Sequence, residues 1–206
     1  MKKSTFGYMI AALLFLNSAV VSAATVPHAL GGFVLGGKVE EYRDQIREGS
    51  VMPIRHMECL KEVEAEEIEG FKSGLIYYGT CTAEKRIIRI KLKYQNPSKK
   101  FFQELLDKYK ERFGEPDEWR GDPFHVRLAW KWYFTDQENN HIGLILQHNM
   151  EKEGEKLGNS VKLTHSDLLE AEYDCCERHR KEVHEDLGDR RGIQKRPLDW
   201  DQLLPE

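Results

Sequence analysis

One run, FGEPDEWRGDPFHVRLAWKWYF from Phe113 to Phe134, constrains the fold more than any other part of the chain. Gly114 can take the left-handed conformation that ends a helix, Pro116 bars its continuation, and Gly121, Asp122 and Pro123 supply a second turn. Beyond that turn Val126, Leu128, Trp130, Trp132 and Phe134 recur with a period of two, and Arg127, Lys131 and Tyr133 fall between them. This alternation predicts a half-buried strand, and its aromatic side places it in the middle of the fold.

A strand of that kind needs partners and a cover. Asn139-Asn140 offers a hairpin turn, and His141 to His148 returns with Ile142, Leu144 and Leu146 alternating. Upstream, Lys99 to Phe113 carries Phe102, Leu105, Leu106, Tyr109 and Phe113 on one helical stripe, with Ser98 as its cap. Arg86 to Gln95 alternates again, Ile88, Ile90, Leu92 and Tyr94 against Ile87, Arg89, Lys91 and Lys93. Ile54 to Cys81 reads as one long hairpin turning near Gly70. In the register that sets Val63 opposite Tyr77 and Ala65 opposite Leu75, Cys59 faces Cys81, which predicts a disulfide between them.

Three lesser elements complete the pattern: a helix from about Lys38 to Arg47, a short edge strand at Ser160 to Thr164, and a helix capped by Ser166 that runs to about Leu187. The expected architecture is α+β, an antiparallel sheet of about five strands with helices packed on one face, plus the C-terminal helix. Lys2 and Lys3 ahead of the apolar run Phe6 to Leu16, followed by the small residues Ala19 to Ala24, have the layout of a secretory signal peptide. That run is shorter than the roughly 20 residues needed to span a membrane. The expected organisation is therefore a signal peptide at 1–24, an α+β domain at 25–164, the C-terminal helix at 165–187, and a mobile or docking tail at 188–206. A periplasmic or secreted location follows, with no membrane span after cleavage.

The run GGFVLGG from Gly31 to Gly37, together with FGEPDEWRGDPFH and AWKW, resembles a group of uncharacterised secreted bacterial α+β proteins over Gly31 to about Thr164. The order of elements is more loosely similar to small envelope proteins of the BamE-like kind. The resemblance implies a sheet packed on helices outside the cytoplasm, and it brings no catalytic residue with it.

A formal net charge of -4, made more acidic by loss of Lys2 and Lys3, argues against a nucleic-acid binder. No glycine-rich phosphate loop, G-x-S-x-G elbow or H-E-x-x-H helix occurs, so the sequence points to no cofactor and to no catalytic residue. The expectation is a non-enzymatic binding module whose partner is a protein or a small polar ligand of the envelope. Its first candidate site is the central loop, where Asp117, Trp119, Arg120, Asp122 and His125 gather aromatic and ionisable groups. A basic sheet face, Arg89, Lys91, Lys93, Arg127 and Lys131, is the third, converging if the two strands that carry it are neighbours. The second is a stripe of the late helix, where Glu172, Cys175, Cys176 and His179 have the spacing to hold a soft metal. That stripe is the basis of the alternative, a metal- or thiol-dependent envelope protein. The acidic residues Glu62, Glu64, Glu66, Glu67 and Glu69 read as a solvated face.

Overall fold

The computed structural model describes residues 25–124, 126–150 and 158–191, so the segment expected to be a signal peptide, and the tail beyond 191, lie outside the described residues. The described chain begins with a two-residue hairpin, β1 (Ala29–Leu30) and β2 (Phe33–Val34), turned by Gly31 and Gly32 at φ of 60° and 89°. A Cβ on Gly31 would stand 2.4 Å from Leu92 Cδ1, so the arm lies directly on the core and Phe33 is fully buried in it. The helix expected from Lys38 to Arg47 is instead a 3-10 segment, Val39–Gln45, interrupted by non-helical angles at Tyr42. Val39 and Ile46 are still the residues that it buries.

Four strands then form a meander: β3 (Met52–Ile54), β4 (Met57–Glu64), β5 (Phe71–Gly79) and β6 (Ile87–Tyr94). Helix α1 (Lys99–Phe113) follows, its first turn closed by the Ser98 hydroxyl accepting from the Phe101 N–H. It leads to a second meander, β7 (Glu118–Trp119), β8 (Arg127–Thr135), β9 (His141–Asn149) and β10 (Gly158–His165), and then to α2 (Ser166–Arg191). All eight strands from β3 to β10 join in one antiparallel sheet of order β3-β4-β5-β6-β10-β9-β8-β7.

This corrects the expected sheet of about five strands with helices on one face. The strand at Ser160 to Thr164, expected at an edge, is central: β10 enters between β6 and β9 and joins the two meanders. Its polar residues Ser160 and Lys162 made it look peripheral, whereas Val161 and Leu163 between them are buried. The aromatic strand β8, expected in the middle, is second from the edge and is covered on its outer side only by the two-residue β7.

The helices lie on opposite faces. Phe102 and Leu106 of α1 pack in one cluster with Ile76, Ile90, Leu92, Trp132, Leu144, Leu146, Val161 and Leu163. Each large side chain fully buried there contributes about 2–3 kcal/mol. Trp132 also donates its indole N–H to the Gly114 carbonyl at 2.9 Å, which fixes the end of α1 against β8. On the other face Leu168 and Leu169 of α2 pack with Met57, Leu60, Ala83 and Ile88.

The β4–β5 register differs by one residue from the expected one. Val63 lies opposite Ile76, and Glu62 opposite Tyr77. Both Val63 and Ile76 are fully buried, so the slip moves Tyr77 out to the α2 side. It also moves Cys81 out of reach of Cys59, whose carbonyl instead accepts from the Thr80 N–H at 2.8 Å. The cysteines pair with α2: Cys59 with Cys176 and Cys81 with Cys175, at Cα separations of 5.7 and 6.1 Å. The expected Cys59–Cys81 bond is therefore replaced by two bonds that hold the helix to β4 and to the β5–β6 loop. No helix among the described residues is long and apolar enough to cross a membrane.

Candidate functional site

Alternation along β6, β10, β9 and β8 sends aliphatic residues to α1 and leaves a polar set on the opposite face. The paired positions form rows across the strands. In one row stand Lys91, Lys162, Ile145 and Lys131; its neighbours hold Arg89, Thr164, Gly143 and Tyr133, and Lys93, Ser160, Gln147 and Ala129. The small side chains lower the floor, the long cations rise around it, and α2 closes the Tyr77 and Arg89 end. The result is a cleft of about 790 Å³ whose walls include Arg89, Lys91, Lys93, Lys162, Arg127 and Asp122. The expected basic face exists, although β6 and β8 are not neighbours: β10 and β9 lie between them.

Lys162, absent from the sequence-based set, stands at the centre of this face. Burial pushes its ammonium down to about 8, and Arg89, Lys91, Lys131 and Arg120 push it further the same way. Every charged neighbour that shifts it is a cation. Arg89 is itself lowered by burial; its guanidinium donates to Thr164 Oγ1 at 3.1 Å and stacks 5.6 Å from the centre of the Tyr77 ring. Lys131 lies 3.9 Å over the ring of Tyr133. Sequence inspection could have found Lys162 only by assigning β10 to the centre of the sheet, since its own neighbourhood, Ser-Val-Lys-Leu-Thr, reads as an ordinary exposed strand.

The central loop is more structural than its composition suggests. Asp117 accepts from the Tyr133 N–H, and Trp119 sits in β7 opposite Trp130 with its ring folded over Gly121. Arg120 pairs with Glu118 at 2.9 Å. The Asp122 carboxylate accepts from the backbone N–H groups of Phe124, Val126 and Arg127, which holds its pKa below the usual carboxylate range. His125 lies outside the described residues. Of the expected loop and sheet set, Asp122 and Arg127 reach the cleft wall and Lys131 stands on its face, whereas Trp119 and Arg120 brace the sheet edge.

Among the described residues the late-helix stripe offers no free thiol to a metal. Cys175 and Cys176 are committed to disulfides, and Glu172 is buried under the β5–β6 loop. Its Oε1 accepts from the Thr80 and Cys81 N–H groups at 2.5 Å each, and its Oε2 from the Thr82 N–H, the Thr82 hydroxyl and the Ala83 N–H at 2.9 Å each. Burial opposes ionisation here, but the hydrogen bonds outweigh it and hold the carboxyl below its ordinary value. His179 lies exposed beyond them, 3.8 Å from Glu182.

Comparison of the chain with protein-family models, with curated proteins and with solved structures finds no match.

Proposed function

We propose that the protein is a non-enzymatic binding module of the periplasm or the extracellular space, and that it holds an anionic ligand on the open face of its sheet. The observation that carries this reading is Lys162, a partly buried ammonium that lines one cleft with Arg89, Lys91, Lys93 and Arg127, its pKa lowered first by burial and then by neighbouring cations. Confining like charges in a recess raises their energy, and an entering anion relieves it. The disulfides of α2 suit an oxidising compartment. Both late-helix cysteines are bonded, which favours the binding reading over the metal- or thiol-dependent alternative.

Calorimetric titration with inorganic pyrophosphate and with citrate tests the reading. Binding should weaken about tenfold or more in Lys162→Met, because a charge-assisted contact is lost. It should also weaken with added salt. Near pH 8 binding should take up protons, visible as a heat that changes with the ionisation enthalpy of the buffer, since the anion restores the ammonium form of Lys162. Equal affinity of the wild type and Lys162→Met for both probes, or no binding of either, would overturn the proposal.

A further inference from the structure

Strand register sets three dissimilar side chains side by side in the wall of the cleft. Lys162 of β10 lies opposite Lys91 on β6 and opposite Ile145 on β9, and all three line the cleft. Cross-strand neighbours stand about 5 Å apart, so one row reads cation, amine, aliphatic within about 10 Å. Lys91 is exposed, whereas Lys162 and Ile145 are half-buried. Among the described residues no hydrogen bond or ion pair engages the Lys162 amine, and the charges that act on it are those of Arg89, Lys91, Lys131 and Arg120. A lysine so placed differs from an ordinary anion-binding cation, because burial among like charges favours its neutral form, whose lone pair is a nucleophile. With its ammonium held at about 8, a share of the amines is free near neutrality.

From this row we infer that the ligand is a 2-oxo acid with a short aliphatic chain, captured reversibly as a Schiff base on Lys162 Nζ. The inference rests on the anion-binding reading and deepens it by naming the class of ligand. In such an acid the carboxylate, the electrophilic carbonyl carbon and the alkyl chain follow one another in the order of Lys91, Lys162 and Ile145. The Nζ lone pair forms a C–N bond to the carbonyl carbon, both hydrogens of the neutral amine leave with the carbonyl oxygen as water, and a proton from solvent makes the iminium. Nothing is oxidised or reduced. The iminium keeps a positive charge where the ammonium stood, beside the carboxylate that Lys91 holds. An anion without a carbonyl would be served by any cation of the cleft, whereas a 2-oxo acid also uses the one amine that its surroundings hold neutral.

Reduction with sodium cyanoborohydride in the presence of 2-oxobutyrate, at about pH 8 and beside the pyrophosphate titration, tests the inference. Intact mass should show a single adduct, and peptide mapping should place it on Lys162. Butanone, which lacks the carboxylate, should label Lys162 about tenfold more slowly, and Lys91→Met should bring the two rates together. Lys162→Arg keeps the cation but has no amine for an imine, so it should bind pyrophosphate within about threefold of the wild type and give no adduct. Pyrophosphate binding without an adduct on Lys162 would overturn the Schiff-base inference and leave the anion-binding reading standing. Adducts spread over the surface lysines, or equal labelling of the wild type by butanone, would also overturn it. Absence of both the adduct and pyrophosphate binding would overturn both.

Discussion

Glu172 and Cys81 meet where a disulfide already ties the same helix: the buried carboxylate accepts the Cys81 N–H at 2.5 Å, and Cys175, three residues further along α2, bonds the Cys81 sulfur. The covalent tie and the hydrogen-bonded tie fix the same turn of α2 to the same loop. Glu172→Gln keeps the shape but sets an amide NH2 against backbone donors. With the disulfides intact it should lower stability by about 2–4 kcal/mol, measured by denaturant unfolding. Because the folded-state pKa of Glu172 is held below its unfolded value, its contribution is complete above the ordinary carboxylate range and is lost as pH falls through the folded value. Glu172→Gln should therefore lose less stability than the wild type on acidification.

Gly79 shares this contact. A Cβ added there would stand 2.5 Å from Glu172 Cδ and 2.8 Å from Ala83 Cβ. Gly79→Ala should destabilise by about 1–3 kcal/mol through overpacking. A double-mutant cycle with Glu172→Gln should show coupling, since both changes disturb one contact. Strict additivity would mean that the loop relaxes independently of the carboxylate.

Disulfide mapping needs cleavage between adjacent cysteines, because Cys175 and Cys176 leave together in most digests. Fragmentation of the linked cluster should assign Cys59 to Cys176 and Cys81 to Cys175. Removing either bond, as Cys59→Ser with Cys176→Ser or as Cys81→Ser with Cys175→Ser, should cost about 4–5 kcal/mol on the loop-entropy estimate, less where the remaining bond already restrains the helix. A Cys59–Cys81 product in the unreduced protein would contradict the register of β4 and β5.

Lys162 predicts an unusual response to alkali. Its ammonium titrates near 8 in the folded chain against an ordinary value of 10.5, so between those two the unfolded state binds more protons. Stability should therefore rise as pH increases from about 8 to 10. Lys162→Met should remove the rise and be more stable than the wild type at pH 7 by about 1–2 kcal/mol, allowing for the screening of a partly exposed amine. Thermal melts of both proteins across that range provide the comparison.

Local patterning made much of the molecule legible. Ser98 and Gly114 bounded α1, and the alternation of Ile142, Leu144 and Leu146 located β9, because those signals lie within the elements themselves. The hairpin from Ile54 to Cys81 was also visible, but its register was not. Val63 has apolar candidates at both Ile76 and Tyr77, and a choice between adjacent residues decides which face each side chain joins. The disulfides were missed for the same reason, since Cys59 and Cys81 faced each other only in the rejected register. The cleft was half legible. Arg89, Lys91, Lys93, Arg127 and Lys131 announced a basic face, but Lys162 completes it only because β10 lies in the middle of the sheet, between β6 and β9, a placement for which no local pattern codes.

That placement of β10 bears on how the chain is made. A ribosome delivers β6 and all of α1 well before residues 158–165, so until they arrive the inner margin of β6 has no strand to bond and the second meander has no seat. The sheet is completed from its middle and late, and only then are Cys175 and Cys176 brought to Cys81 and Cys59. A chain cut short before Gly158 would hold two incomplete half-sheets, each with an open edge, and should aggregate rather than persist as a smaller version of the protein.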